Sequence, residues 1–199
     1  MKNILIISGH TNLNDSYANK TILEELTHTI PEAEYVYLDT LYPDFRIDVE
    51  TEQQRLIRSD VIIFQFPLFW YSTPSILNRY VEEVFKHGFS HGTTGNKLIG
   101  KQLILSFTSG APEEMYQKDG LQNYPIEDFL PPYKQMANLC RLKWEGFVYT
   151  GGMSYANRND EAMLKTMHTK AVDHANRLIK KLKRLQEPDY VAPKNSQDH

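Results

Sequence analysis

Three short stretches hold the side chains best suited to chemistry: SGHTNLNDSYAN (8–19), QFPLFWYSTPSIL (65–77) and FTSGAPEEMYQKDG (107–120). The first sets a histidine, hydroxyls and amides just ahead of a helical pattern. Free N–H groups and the dipole at a helix start favour an anion, so His10, Asn14, Ser16 and the amides of Tyr17 and Ala18 suit a phosphate. An ordinary capped turn would use the same residues. A P-loop is excluded, because its glycines and its Gly-Lys-Ser/Thr ending are missing, and so is the three-glycine dinucleotide fingerprint. The second stretch crowds Phe66, Phe69, Trp70 and Tyr71 into a segment that Pro67 bars from a central ladder and Pro74 from a continuous helix. Aromatic side chains there suit a flat, mostly apolar ligand whose polar edge meets loop amides. Phe66 reads more simply as core; Trp70 and Tyr71 do not. The third stretch offers the Thr108 and Ser109 hydroxyls beside Gly110, where backbone can approach a ligand closely. It also holds Tyr116, a phenol neutral at working pH. No side chain here must be a covalent nucleophile, and the lone Cys140 reads as packing on a helical face.

Each stretch follows a run that reads as a strand. Residues 4–7, 61–66 and 103–107 are almost continuously hydrophobic, as in strands covered on both faces. Weaker runs at 35–38 and 147–149 complete a set of five. Between them, Ala18, Ile22, Leu23 and Leu26 share one helical face, with Asn14 and Asp15 as candidate caps. Ile76, Leu77, Tyr80, Val81, Val84 and Phe85 share another, opened by Thr73 as cap and Pro74 at the first helical position. Met136, Leu139 and Cys140 mark a less regular helix, and Leu164 to Leu185 the longest. Lysines and arginines at 180–184 read as a solvated, dipole-matched helix end. Alternating strands and helices in one domain predict an α/β fold: a flavodoxin-like, doubly wound five-stranded parallel sheet of order 2-1-3-4-5, with helices on both faces. Ligands of such sheets bind beyond the C-terminal strand ends, which is where the three stretches fall. The long irregular segments 87–100 and 109–125 read as functional loops.

Composition narrows the function classes. Net charge is −3 with no basic stripe, which argues against nucleic acid. No apolar run approaches the roughly 18 residues of a membrane span, so no membrane insertion is expected. A single cysteine excludes an internal disulfide framework and a cysteine metal cluster, and no metal site is expected. The N-terminal MKNILIISGH reads as a first strand rather than a signal peptide, which points to a cytoplasmic protein. The domain is expected over 1–185, followed by a loose, proline-broken tail over 186–199.

The block FPLFWYSTPSIL resembles the Pro-Leu-x-Trp-[Tyr/Phe]-x-x-Pro block of the flavodoxin-like NAD(P)H:quinone reductases, the DT-diaphorase family. That family includes bacterial flavoproteins and ancillary subunits of potassium efflux systems. The loop at Gly9-His10, GFSH (88–91) and TSGAPEEMYQKDG (108–120) are similar in order and spacing, over about the whole folded length. The resemblance implies a bound flavin; FMN is the expected form, and FAD stays open because both place the isoalloxazine alike. His10, Ser16, Tyr17 and Ala18 would hold its phosphate. Pro67, Leu68, Phe69, Trp70 and Tyr71 would lie along the isoalloxazine, with backbone amides at its N5/O4 edge. Thr108, Ser109 and Gly110 would meet the pyrimidine edge, and Tyr116 the N1/O2 region. The resemblance also implies a homodimer, with Phe89 and His91 in the rim that completes the partner's substrate pocket. Hydride would pass from NAD(P)H to the flavin and two electrons onward to a quinone or similar acceptor. Tyr116, assisted by Gln122, would stabilise the charge that reduction places at N1/O2. Three departures stand out: Thr108-Ser109-Gly110-Ala111 where Thr-Thr-Gly-Gly is frequent, His91 where a rim tyrosine is usual, and Gln122 where the animal enzymes carry a histidine.

Two other classes share the fold. A flavodoxin-like one-electron carrier would need an acidic docking surface and a different phosphate loop, and neither is present. A flavin-binding regulatory subunit of a potassium efflux transporter stays open beside the enzyme. A receiver domain needs an aspartate at the end of its third strand, where this chain has Gln65-Phe66-Pro67.

Overall fold

Five apolar runs pair as one parallel sheet. β1 (Ile4–Ser8), β2 (Glu34–Tyr37), β3 (Val61–Pro67), β4 (Gln102–Thr108) and β5 (Lys143–Thr150) lie in the order β2-β1-β3-β4-β5. This computed structural model describes residues 2–187, so the expected tail lies, from 188 onward, outside the described residues. β1, β3 and β4 are buried at every position, which is why they read as nearly continuous hydrophobic runs. Successive side chains alternate between two cores. Leu5, Ile7, Ile62, Phe64, Phe66, Leu103, Leu105 and Phe107 face one, and Ile6, Ile63, Ile104 and Val148 the other.

The second core is closed by α1 (Tyr17–Thr29) and α6 (Glu161–Leu185), which supply Ile22, Leu26, Ala171, Ala175 and Leu178. The first is closed largely by α4 (Ser75–Val84) and α5 (Pro131–Leu139), with α2 (Leu38–Leu41) and α3 (Val49–Arg58) beside them. Phe66 lies in that core, its ring stacked on Phe107 with centroids 5.5 Å apart.

Helix starts differ from the sequence expectation at two places. Ser16, not Asn14 or Asp15, caps α1: its backbone is extended, and its Oγ accepts from the Asn19 amide at 3.2 Å. Asn14 and Asp15 fall in the tight turn Leu13–Asp15 just before it. At α4 the cap is Pro74 rather than Thr73, and the helix begins at Ser75; the Thr73 hydroxyl instead bonds the Asn78 side chain at 2.6 Å. α3 escaped notice because its inward face is largely polar. Glu52 is fully buried there, bonded by the Tyr42 hydroxyl at 2.6 Å and paired with Arg55, so no apolar stripe advertises the helix.

Two consequences position the site. The loops after β1, β3 and β4 leave the same edge of the parallel sheet. α4 carries the chain back across the sheet, so the 87–100 segment emerges at the opposite edge.

Candidate functional site

The three loops and the segment after β5 enclose a cavity of about 450 Å³. His10, Ser16, Tyr17 and Ala18 line one end; Pro67, Leu68 and Phe69 line a wall; Thr108, Ser109 and Gly110 face them. Ten of the residues expected from the sequence therefore meet in one place, across segments separated by about a hundred positions.

The phosphate-like end is rich in donors. The first-turn amides of Tyr17 and Ala18 have no acceptor within their own helix. The Asn12 amide donates to His10 Nδ1 at 3.0 Å, so the neutral ring carries its proton on Nε2, where it is free to donate. Burial lowers the His10 pKa from its ordinary value, against the pull of Asp39 and Asp15. The ring meets Phe69 edge-on, with centroids 5.6 Å apart.

The wall is built on unusual backbone. Phe69 and Ser72 exchange two backbone hydrogen bonds of 3.0 Å across a turn whose central residues, Trp70 and Tyr71, have φ of 48° and 64°. Two positive values in succession make a type I′ turn, which normally takes Asn or Gly. Bulky side chains held there cost about 1–2 kcal/mol each, a strain that clusters at functional sites. The turn points its indole outward: Trp70 is 93% exposed and does not line the cavity. Tyr71 lies outside it too, its ring stacked on Phe129 at 5.4 Å.

Tyr116 is set back from the cavity. Its ring meets Tyr149 and Phe129 edge-on, each at 6.1 Å, and it lines a second cavity of about 680 Å³ between β5, α6 and the 113–127 segment. Burial raises the Tyr116 pKa, while a hydrogen bond with Ser109 lowers it. Ser109 is the link between the two cavities: it lines the first, and its hydroxyl bonds the Tyr149 hydroxyl at 2.7 Å. Gln122 is half-buried in the same segment, its backbone N–H donating to the Met115 carbonyl, and lines neither cavity.

Phe89 and His91 sit at the far sheet edge. Phe89 is buried in the first core, and His91 Nδ1 bonds the Ser90 hydroxyl at 2.9 Å. Within one chain they do not approach the cavity. Cys140 is buried at the end of α5, as packing requires. Among the described residues no group of three or more metal-ligating side chains is gathered, and no helix is long and apolar enough to cross a membrane.

Sequence reasoning missed Asn12, Asn19, Met153, Tyr155, Arg158 and Met167 among the lining residues. Asn19 was inside a quoted stretch but reads as an ordinary helix residue. The Met153–Arg158 group follows β5, so the rule that singled out three strand ends also reaches it when applied to the fifth. Arg158 matters most: its guanidinium lies 3.8 Å from the centroid of the Tyr155 ring and adds a fixed cation to the lining.

Comparison with known proteins agrees with this geometry. A family model described as flavodoxin-like fold matches residues 2–174. The glutathione-regulated potassium-efflux system ancillary protein KefG of Enterobacter sp. strain 638 is 38% identical over 144 residues, 71% of this chain and 76% of that protein. A Bacillus subtilis protein named as an uncharacterized NAD(P)H oxidoreductase, YrkL, is 39% identical over 142 residues, 70% of this chain and 80% of that one. Among solved structures, general stress protein 14 of Treponema denticola, in complex with FMN, superposes with a TM-score of 0.80 at 25% identity, covering 90% of this chain and 99% of that one.

Proposed function

The chain belongs to the flavodoxin-like fold family, and on that premise we propose that it is a flavin-dependent oxidoreductase. It takes hydride from NAD(P)H and passes two electrons to a quinone-like acceptor. The observation that carries this reading is the division of one cavity into a donor-rich end at the start of α1 and a wall of Pro67, Leu68 and Phe69 facing Thr108 to Gly110. A flat ring with a phosphate-bearing tail has that distribution of chemistry. FMN is favoured, as the ligand of the Treponema relative, over FAD.

A bound flavin supplies the hydride and electron chemistry. The chain's own residues do the rest. His10 Nε2–H, the Ser16 hydroxyl and the amides of Tyr17 and Ala18 hold the phosphate, with the helix dipole behind them. Pro67, Leu68 and Phe69 form the apolar wall, and the strained turn fixes where the loop amides point. Trp70 and Tyr71 would extend that wall beyond the cavity, toward a bound flavin's outer side. Thr108, Ser109 and Gly110 meet the polar edge. Ser109 lies between that edge and the Tyr149 and Tyr116 phenols; its own hydroxyl proton goes to the Ala111 carbonyl, so Tyr116 would act on charge developing at the edge through the polarity of this cluster. Gln122 assists from the same segment.

The working form is a homodimer in the cytoplasm, with Phe89 and His91 beside the partner's cavity. Their position at the sheet edge opposite the chain's own cavity supports that role. Light scattering that finds a monomer with full turnover would exclude it.

A second reading rests on the KefG relatives: the same flavin-holding chain docks on a potassium efflux transporter. Co-purification of such a transporter with the tagged chain tests that role. The primary test is an FMN titration followed by quenching of flavin fluorescence. Saturable quenching is expected, and the absence of binding by both FMN and FAD rules the function out.

A further inference from the structure

A line of polar side chains, buried between an exposed Arg177 and a half-buried Ser16, runs under α1 and α6 from the second cavity to the first. Arg177 Nη2 donates to Thr150 Oγ1 at 2.5 Å. Thr150 Oγ1 and His174 Nδ1 are 2.9 Å apart, and His174 Nε2 and Ser106 Oγ 2.8 Å apart. Ser106 Oγ donates to Gln65 Oε1 at 2.5 Å, and Gln65 Nε2 donates to Asn19 Oδ1 at 2.9 Å. Asn19 Nδ2 donates to Ser16 Oγ and to Thr108 Oγ1, each at 3.2 Å. His174 and Ser106 are wholly buried, and Gln65 is 1% exposed, so every proton on the line needs a partner within it.

That requirement gives the line a direction. A guanidinium only donates, so Thr150 Oγ1 must accept from Arg177. The Thr150 proton then has His174 Nδ1 as its acceptor, which puts the imidazole proton on Nε2. His174 Nε2–H donates to Ser106, whose own proton goes to Gln65, and so on to Asn19. In the reverse sense, Thr150 Oγ1 would accept from both Arg177 and His174, leaving its own proton without a partner on the line. The Ser16 and Thr108 hydroxyls would then donate to Asn19 and turn lone pairs toward the cavity. Burial keeps His174 neutral, with a pKa pushed down to about 3, so a doubly protonated ring does not blur the choice.

We propose that Arg177, which does not line the cavity, is a positioning residue for anion binding: through this one-way line it leaves the Ser16 hydroxyl free to donate to a phosphate in the cavity. The identity of that anion as a flavin phosphate rests on the functional reading above; the sense of the line does not.

Two measurements separate these dependences. In flavin-free protein labelled with ¹⁵N at histidine, long-range proton–nitrogen correlations are expected to place the His174 proton on Nε2. A proton on Nδ1 overturns the proposal. Arg177→Leu is expected to shift the ring toward Nδ1–H and to weaken FMN binding roughly tenfold, the scale of a lost hydrogen bond to a charged group. Riboflavin, which has no phosphate but shares the ring edge that Thr108 meets, is expected to lose less affinity in the variant than FMN does. Arg177→Lys, which keeps a donor, is expected to restore most FMN affinity. Equal losses for FMN and riboflavin, or no loss for FMN, overturn it. If neither flavin binds the native protein, the functional reading fails, and the tautomer still decides the direction of the line.

Discussion

Replacing His174 with Gln should flatten the acid side of the protein's stability profile. In the folded chain the imidazole is buried, and its pKa lies at about 3. In the unfolded chain it returns to about 6.5. Between those values the unfolded state binds one more proton than the folded state, so stability rises with pH and falls as the solution is acidified through 6.5. The loss is about 1.4 kcal/mol for each pH unit well below 6.5. Between pH 7.5 and 5.5 it amounts to about 1.4 kcal/mol, because the first unit spans little titration. Glutamine offers a donor and an acceptor to Ser106 and Thr150 but does not titrate. His174→Gln therefore starts less stable than the native protein at pH 7.5, and the gap narrows by about 1.4 kcal/mol at pH 5.5. His10 is also held below its ordinary pKa and acts in the same sense, but it is present in both proteins and cancels. Urea unfolding at the two pH values, followed by circular dichroism, gives the difference. Parallel curves, with the gap unchanged, would refute the burial argument.

The remaining expectations concern the cavity. Ser16→Ala removes both a helix cap and a phosphate donor, so it should cost about 1 kcal/mol in thermal or urea unfolding and also weaken FMN binding. A variant that loses stability but binds FMN normally would show that Ser16 is a cap only. Phe66→Ala should cost about 3–5 kcal/mol, whereas Trp70→Ala, at an exposed position, should stay within about 0.5 kcal/mol yet lose flavin more readily. Equal flavin retention in Trp70→Ala and native protein would remove Trp70 from the site. Tyr116→Phe keeps the ring packing and should slow flavin reduction roughly tenfold, about 1.4 kcal/mol, in stopped-flow measurements. An unchanged rate, with flavin bound as before, would remove its hydroxyl from the mechanism.

The sheet was legible because burial writes itself into sequence: strands covered on both faces must be mostly apolar, and residues 61–66 and 103–107 are, apart from Gln65 and Ser106. α3 was not, because Glu52 takes a core position through a buried ion pair instead of an apolar side chain. In the candidate site, side-chain types marked loops that do line one cavity, since loops at neighbouring strand ends converge there. Directions within the loops were hidden. Nothing in the letters of Trp70 and Tyr71 announces a positive φ, yet that turn is what sends the indole into solvent. Tyr116 lies in a long segment whose course depends on Phe129 and Tyr149, far away in sequence. The line from Arg177 to Ser16 was beyond reach for the same reason. Each member is an ordinary polar residue until β3, β4, β5, α1 and α6 bring them together.

A chain that holds a flavin and reduces it with a nicotinamide has a direct optical signature. Anaerobic mixing of FMN-loaded protein with NADH or NADPH tests it most directly, followed by the visible absorbance of oxidised flavin. That absorbance is expected to disappear with at least one nucleotide, faster than for free FMN, and to return when a soluble quinone is added. Tightly bound FMN that neither nucleotide reduces faster than free FMN would contradict the proposed function.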